Sequence, residues 1–409
     1  MSPGTASSAL DPDALVADLR ALVRVPSVTG DERAVMDEFV GLAAALGLEA
    51  ELWEHDLAAL RAAPGYPGEE ALRTELVGAV ARLPGRDPHA PRLAIAGHLD
   101  VVGPGAESWH HDPWAADLED GCVHGCGAAD MKAGVAAALH ALAAVARSGA
   151  RPAGDVVLLA VASEEDGGLG AFAALERDDA FAACLVPEPT GFELVCAQAG
   201  ALTFTGTVRG RAAHAALRLE GVSAIDRYLP VHAALADHER HINAGMPHPL
   251  MARHALPYPV LVGRLSAGRW SSQVPDLLEF EGRVGVPVGT DLDAARADVE
   301  RVVVAAAGPG GPPPELRWTG GQFASGQTDP ADPFVGLVSA AAQAELGAPP
   351  PLGGVTWGSD MRLFTARGIP TVMIGTRGIE RAHAVDERVA VDEVVTLARI
   401  LTRVIASFG

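Results

Sequence analysis

Five short segments of this chain gather side chains that bind metals or move protons. They are GHLDVV with His98 and Asp100, GCGAADMKAG with Asp130, ASEEDG with Glu164 and Glu165, PEPTG with Glu188, and AHAVDE with His383. Two imidazoles and several carboxylates form a donor set that suits zinc, and cobalt or manganese can substitute. A pair of divalent ions about 3.5–4 Å apart needs one carboxylate that spans both. One His and one carboxylate per ion, with a shared Asp, would satisfy such a pair. His98 and Asp100 are two apart on an extended segment and face the same way, so Asp100 is expected to accept the second ring N–H of His98. Glu164 and Glu165 are adjacent and point apart, so one can bind metal while the other stays free as a general base. Taken singly, each residue has an ordinary reading. Glu188 before Pro189 can open a turn, Asp130 can cap the helix that follows, and an acidic run is usually a solvated turn. His110, His111, His124 and His140 read as structural. Lys132, the only lysine in the chain, lies two residues from Asp130.

The elements around these segments give them weight. Leu93–Gly97, Val156–Ala162, Ala183–Val186 and Thr371–Ile374 are short apolar runs of the kind that form buried parallel strands. A long Ala-rich helix is expected from Lys132 to Arg147. Strands alternating with helices predict a doubly wound, mostly parallel α/β sheet. Ligands in such sheets collect outside the carboxyl ends of the strands, where the chemically active segments fall. Asp11 and Pro12 signal the start of an N-terminal helix, a second is expected from about Asp31 to Leu46, and Val391–Phe408 reads as a closing amphipathic helix. Residues 60–90, rich in Pro, Gly and Ala, read as an irregular excursion. In the middle the order is strand (202–209), helix (222–242), strand (260–265), strand (277–286), helix (291–307) and strand (315–319), which matches a ferredoxin-like unit. The expected organisation is therefore a catalytic domain over 1–199 and 317–409, interrupted by an inserted α+β domain over 200–316.

Composition bounds the function. The 409 residues are 49% hydrophobic and 20% charged, as in an ordinary globular protein. A formal net charge of −21 argues against nucleic acid as a partner, because phosphate binding needs a basic surface. No run of about 18 apolar residues suggests a membrane span, and Met1–Leu10 lacks the pattern of a signal peptide, so a cytoplasmic location is expected. Cys122, Cys126, Cys184 and Cys196 read as free thiols. The Gly103–Gly105 turn does not continue into a dinucleotide fingerprint.

In their order and spacing, GHLDVV, GCGAADMKAG, ASEED, PEPTG and AHAVDE resemble the family of acetylornithine deacetylase, succinyl-diaminopimelate desuccinylase, aminoacylase and carboxypeptidase G. The likeness runs from about residue 12 onward. It implies a lid and dimerisation role for the inserted domain and hence a homodimer. It implies that His98 and Glu188 hold one metal, Glu165 and His383 the other, and that Asp130 bridges them. Asp100 supports His98, Glu164 is the general base, and a hydroxide between the metals attacks the amide. His214, in GRAAHAAL, is the lid residue that would steady the oxyanion from the partner subunit. Arg362, in WGSDMR, resembles a substrate-side segment and is a candidate for binding a substrate carboxylate, with a surface ion pair as the other reading. The sequence departs from many members at Cys126, where they carry Arg, at Gly375-Thr376-Arg377-Gly378 and at Ser272-Gln273-Val274-Pro275. The implied activity is removal of an acyl group from a small N-acylated amino acid or related amide. The alternative is a dipeptidase or carboxypeptidase on the same dinuclear zinc-type site. A silent binding protein on this scaffold would lack Glu164 or a ligand, and all are present.

Overall fold

The computed structural model describes residues 6–245 and 248–409. Helix α1 (Pro12–Arg24) begins as its sequence dictates. The Asp11 carboxylate accepts the Ala14 amide at 3.1 Å, and Pro12 sits where the helix needs no donor. Helix α2 (Arg33–Ala45) precedes strands β1 (Glu49–His55), β2 (Leu76–Leu83) and β3 (Leu93–His98). Helix α3 (Ala133–Arg147) leads to β4 (Val156–Val161), and α4 (Leu169–Arg177) to β5 (Ala183–Val186) and β6 (Leu194–Gln198). The inserted segment carries β7 (Gly200–Arg209), α5 (Ala224–Ile242), β8 (Val260–Ala267), β9 (Leu277–Val286), α6 (Leu292–Ala306) and β10 (Glu315–Phe323). The chain then returns through α7 (Pro333–Leu346), α8 (Met361–Thr365), β11 (Thr371–Met373) and α9 (Val391–Ser407).

The described residues form two compact units. The first holds the chain up to Cys196 with Gln327–Gly353 and Ser359–Gly409, and the second holds Ala197–Gly326 and Gly354–Gly358. The inserted unit runs past residue 316 to Gly326, because β10 continues through Gly320 and Gly321 to Phe323, and it takes in Gly354–Gly358 as well.

In the first unit the strands run in the order β1-β2-β4-β3-β5-β11-β6. The four central strands β4, β3, β5 and β11 are mutually parallel, and β1, β2 and β6 add antiparallel edges. The parallel strands are the four apolar runs expected from sequence, and each is buried throughout, as strands covered on both faces must be. The excursion over 60–90 corrects the sequence reading. It contains β2, almost wholly buried, and is preceded by a short helix, Leu57–Ala62, that Asp56 caps. With Gly78, Ala79 and Ala81, β2 has few of the β-branched and aromatic residues that mark a strand. Residues Ala128–Arg147 are apolar and long enough to cross a bilayer, but here Ala128–Val145 are buried within the protein.

The second unit is an antiparallel sheet in the order β8-β9-β7-β10. This is the strand arrangement of a ferredoxin-like βαββαβ unit. Phe204 and Phe280 meet edge to face at 5.8 Å in its core, with Val231 of α5 and Val299 of α6.

Candidate active site

The carboxyl ends of the parallel strands converge on one cluster. His98 is the last residue of β3, Glu164 and Glu165 follow β4, Glu188 follows β5, and His383 follows β11. Asp130 lies just before α3. His98 Nε2 stands 3.2 Å from Asp130 Oδ1 and 3.9 Å from Glu188. His383 Nε2 stands 3.6 Å from Asp130 Oδ2 and 3.0 Å from Glu165. The two oxygens of Asp130 thus face different histidines. Donor atoms of His98, Asp130 and Glu165 all lie within 4.8 Å of one another.

The electrostatics of this cluster are those of a site built around positive charge. Burial pushes the carboxyls of Glu164 and Glu188 well above their ordinary range, and Glu165 upward as well, with neighbouring carboxylates adding to each shift. Asp130 is lowered despite its burial, because His383 and His98 both bond to it. The same contacts with Asp130 and Glu165 raise His383 to about 10. Burial lowers His98, but its bond to Asp130 and the surrounding acids outweigh that and raise it. Four acids share this space with two imidazoles, so a divalent cation would relieve their mutual repulsion.

Asp100 does not play the part expected of its carboxylate. The His98 Nδ1–H donates to the backbone carbonyl of Asp100 at 2.8 Å, while the nearer carboxylate oxygen is 3.7 Å away. The result for His98 is as anticipated, since Nδ1 is engaged and Nε2 turns to the cluster. The carboxylate of Asp100 braces the next strand end instead. It accepts the amides of Glu164 and Glu165, each at 3.2 Å, and the Thr29 hydroxyl at 3.1 Å.

Sequence reasoning missed three supports. Ser163 has φ +65°, a left-handed conformation uncommon outside glycine, and its hydroxyl donates to Asp166. Asp166 also accepts the amides of Glu70 and Ala71 at 3.0 and 2.8 Å and pairs with the fully buried Arg73 at 3.2 Å. The excursion over 60–90 thereby holds the turn that carries Glu164. Glu387, four residues past His383, accepts the amides of Gly127, Ala129 and Asp130 at 2.8, 2.8 and 3.1 Å. It stood in plain view at the end of AHAVDE.

Arg362 is also corrected. Its guanidinium is only 2% exposed and donates to the carbonyls of Gly167 at 2.6 Å and Ser359 at 3.1 Å. It braces the loop after Glu164 and is buried together with Met361 and Phe364 of α8. His214 lies exposed in the second unit, where its Nδ1 accepts the Ala216 amide at 3.1 Å. In the neutral ring this leaves Nε2–H as an outward donor. Lys132 is buried and donates to the carbonyls of Leu22 and Val25, each at 3.0 Å, closing the end of α1. The four cysteines form no disulfide. His111 stacks on His124, and His140 pairs with Asp18. A cavity of about 560 Å³ opens beside His383, walled by Val102, Trp109 and Val385.

A sequence profile described as Peptidase family M20/M25/M40 matches residues 94–407. The chain belongs to this family. As a member of it, the protein is a metallo-hydrolase acting on amide bonds. Over 408 residues it is 31% identical to the succinyl-diaminopimelate desuccinylase of Methylobacterium sp. (strain 4-46), a match covering 95% of this chain and 94% of that one. Among solved structures, it shares its fold with an M20 family metallo-carboxypeptidase from Sulfolobus solfataricus (TM-score 0.77, 14% identity, 96% of this chain and 97% of that one). A dinuclear metal binding M20 peptidase from Bacillus subtilis aligns with TM-score 0.67 at 19% identity over 97% of each chain.

Proposed function

We propose that this M20 member removes the acyl group from a small N-acylated amino acid or related amide, with two divalent cations held in the strand-end cluster. One observation carries the dinuclear reading: the two oxygens of Asp130 each face a different histidine, at 3.2 and 3.6 Å. His98 and Glu188 would hold one ion, Glu165 and His383 the other, with Asp130 shared. Imidazole and carboxylate donors favour zinc, and cobalt or manganese would serve. When bound, the ions supply Lewis acidity and offset the charge of the acidic cluster.

The chain's own residues supply the proton chemistry. Glu164 lies beside the ligands without a histidine bonded to it, and burial raises its pKa. A carboxylate in this position can take a proton from the attacking water and return it to the leaving amine nitrogen. Asp100 holds the Glu164 and Glu165 amides, so it fixes which of the two acids faces the ligands. In this reading His214 offers its Nε2–H to the oxyanion from the partner of a homodimer joined through the second unit. The protein would work in the cytoplasm on a small molecule, with neither nucleic acid nor membrane as partner.

A second reading, dipeptidase or carboxypeptidase action at the same site, draws on the fold shared with the metallo-carboxypeptidase. A panel of N-acetyl, N-formyl, N-succinyl and dipeptide substrates, run with metal analysis, separates the two. Turnover of N-acyl amino acids that chelation abolishes is the expected result. Exclusive cleavage of dipeptides would replace the first reading with the second, and full activity without metal would end both.

A further inference from the structure

Glu387 is 3% exposed and lies outside the set of ligands, the base and the oxyanion donor. Its position follows from strand pairing. Segments Cys122–His124 and Arg388–Ala390 pair antiparallel, with Arg388 opposite His124. That register sets Glu387 beside the turn that follows His124, where its carbonyl accepts the Gly125 amide at 3.0 Å. Gly127 has φ +75°, which turns the backbone so that the amides of Gly127, Ala129 and Asp130 point to one spot. Three convergent N–H groups form an anion nest, and a carboxylate with two oxygens fills it. Oε1 takes Ala129 and Asp130, and Oε2 takes Gly127.

This arrangement ties together the two segments whose relative placement matters most for a shared carboxylate. The Asp130 amide is held by Glu387, and Glu387 is joined to His383 by three intervening residues. A second tie runs from the same turn, because the Asp386 carboxylate accepts the His110 amide at 2.8 Å. We propose that Glu387 is a positioning residue that orients Asp130 between His98 and His383, so that one carboxylate can serve two cations. The proposal rests on the dinuclear reading above.

A glutamine at 387 can still accept from Ala129 and Asp130 but sets an NH2 group against the Gly127 N–H. An alanine leaves all three donors empty. The test titrates metal-free protein with Co2+ and follows its visible absorption, which reports coordination geometry, alongside steady-state kinetics. Glu387→Gln is expected to weaken Co2+ binding by about 10–100-fold, as losses of ligand-supporting groups do. It should also shift the absorption bands and lower kcat with KM little changed. Glu387→Ala should do more of each.

Wild-type affinity and an unaltered spectrum in folded Glu387→Gln and Glu387→Ala would overturn the proposal, even if stability or activity fell. If neither variant folds, Glu387→Asp is the third substitution. Should that one also fail to fold, Glu387 is a scaffold residue and the proposal falls. If the wild type itself takes up only one ion, the dinuclear reading fails first, and the titration of unmodified protein shows which has failed.

Discussion

Asp100 accepts the backbone amide of Glu164 at 3.2 Å, so the end of one parallel strand holds the turn that leaves its neighbour. The same carboxylate accepts the Glu165 amide, so the proposed base and the proposed ligand share one anchor. Asp100→Ala should therefore lower turnover and metal retention together, by about 10–100-fold each, in the range for groups supporting metal ligands. Kinetics with parallel metal analysis check this. A loss of activity with both ions fully retained would show that Asp100 serves Glu164 alone.

Glu164→Gln keeps the shape of the turn and removes the proposed proton acceptor. It should hold both ions and lose about 10²–10⁴ in turnover, the range for general-base assistance. Glu165→Gln should instead weaken one metal site, because Glu165 is the acid that contacts His383. Near wild-type turnover in Glu164→Gln would remove it from the mechanism.

Arg73 is wholly buried against Glu32 at 3.3 Å, Glu69 at 3.2 Å and Asp166 at 3.2 Å. Arg73→Met takes their cation from Glu32 and Asp166, while Glu69 keeps Arg61, and breaking a buried pair in this way costs about 3–5 kcal/mol. Urea denaturation should show that loss. Activity should fall in the folded fraction too, since Asp166 holds the loop beside Glu164.

Burial, helped by Arg177, lowers His55 to about 4 from its ordinary 6.5. A histidine depressed in the folded state contributes stability above its unfolded pKa and loses it as pH falls toward the folded value. Its contribution should disappear between about pH 6.5 and 4. Melting temperatures of wild type and His55→Gln at pH 7.5 and 4.5 test this, and the wild type should lose more on acidification. Equal losses would assign the acid sensitivity to other groups.

His214→Ala and Glu164→Gln should each be nearly inactive, and mixing them should restore part of the activity through hybrid dimers. Each hybrid would hold one site with both residues intact. Confirmed subunit exchange without recovery would show that His214 does not act across a dimer.

The parts legible in the sequence were those with a local signature. The four parallel strands are unbroken apolar runs, and the ligand candidates fall at or beyond their carboxyl ends or at the start of a helix. The supports were less visible because they depend on contacts distant in sequence. Arg73 meets Asp166 across 93 positions, and nothing around Arg73 marks it as more than a loop arginine. Arg362 carries the charge of a substrate clamp, but its burial follows from α8 beginning in the core, which only the folded chain reveals. For Asp100 the period-two argument chose the correct face and the wrong acceptor, because its own carbonyl reaches the ring first.

Strand β10, the last strand of the second unit's sheet, ends at Phe323, whereas His383 and Glu387 come later in the chain. A growing polypeptide emerges from its N-terminal end, and domains fold largely as they appear. Most of the inserted unit can therefore fold during synthesis before the segment that carries His383 has emerged to meet His98 and Asp130. Cation loading would then follow the emergence of the segment that carries His383, and nascent chains stalled before residue 383 should retain less zinc than chains that include it.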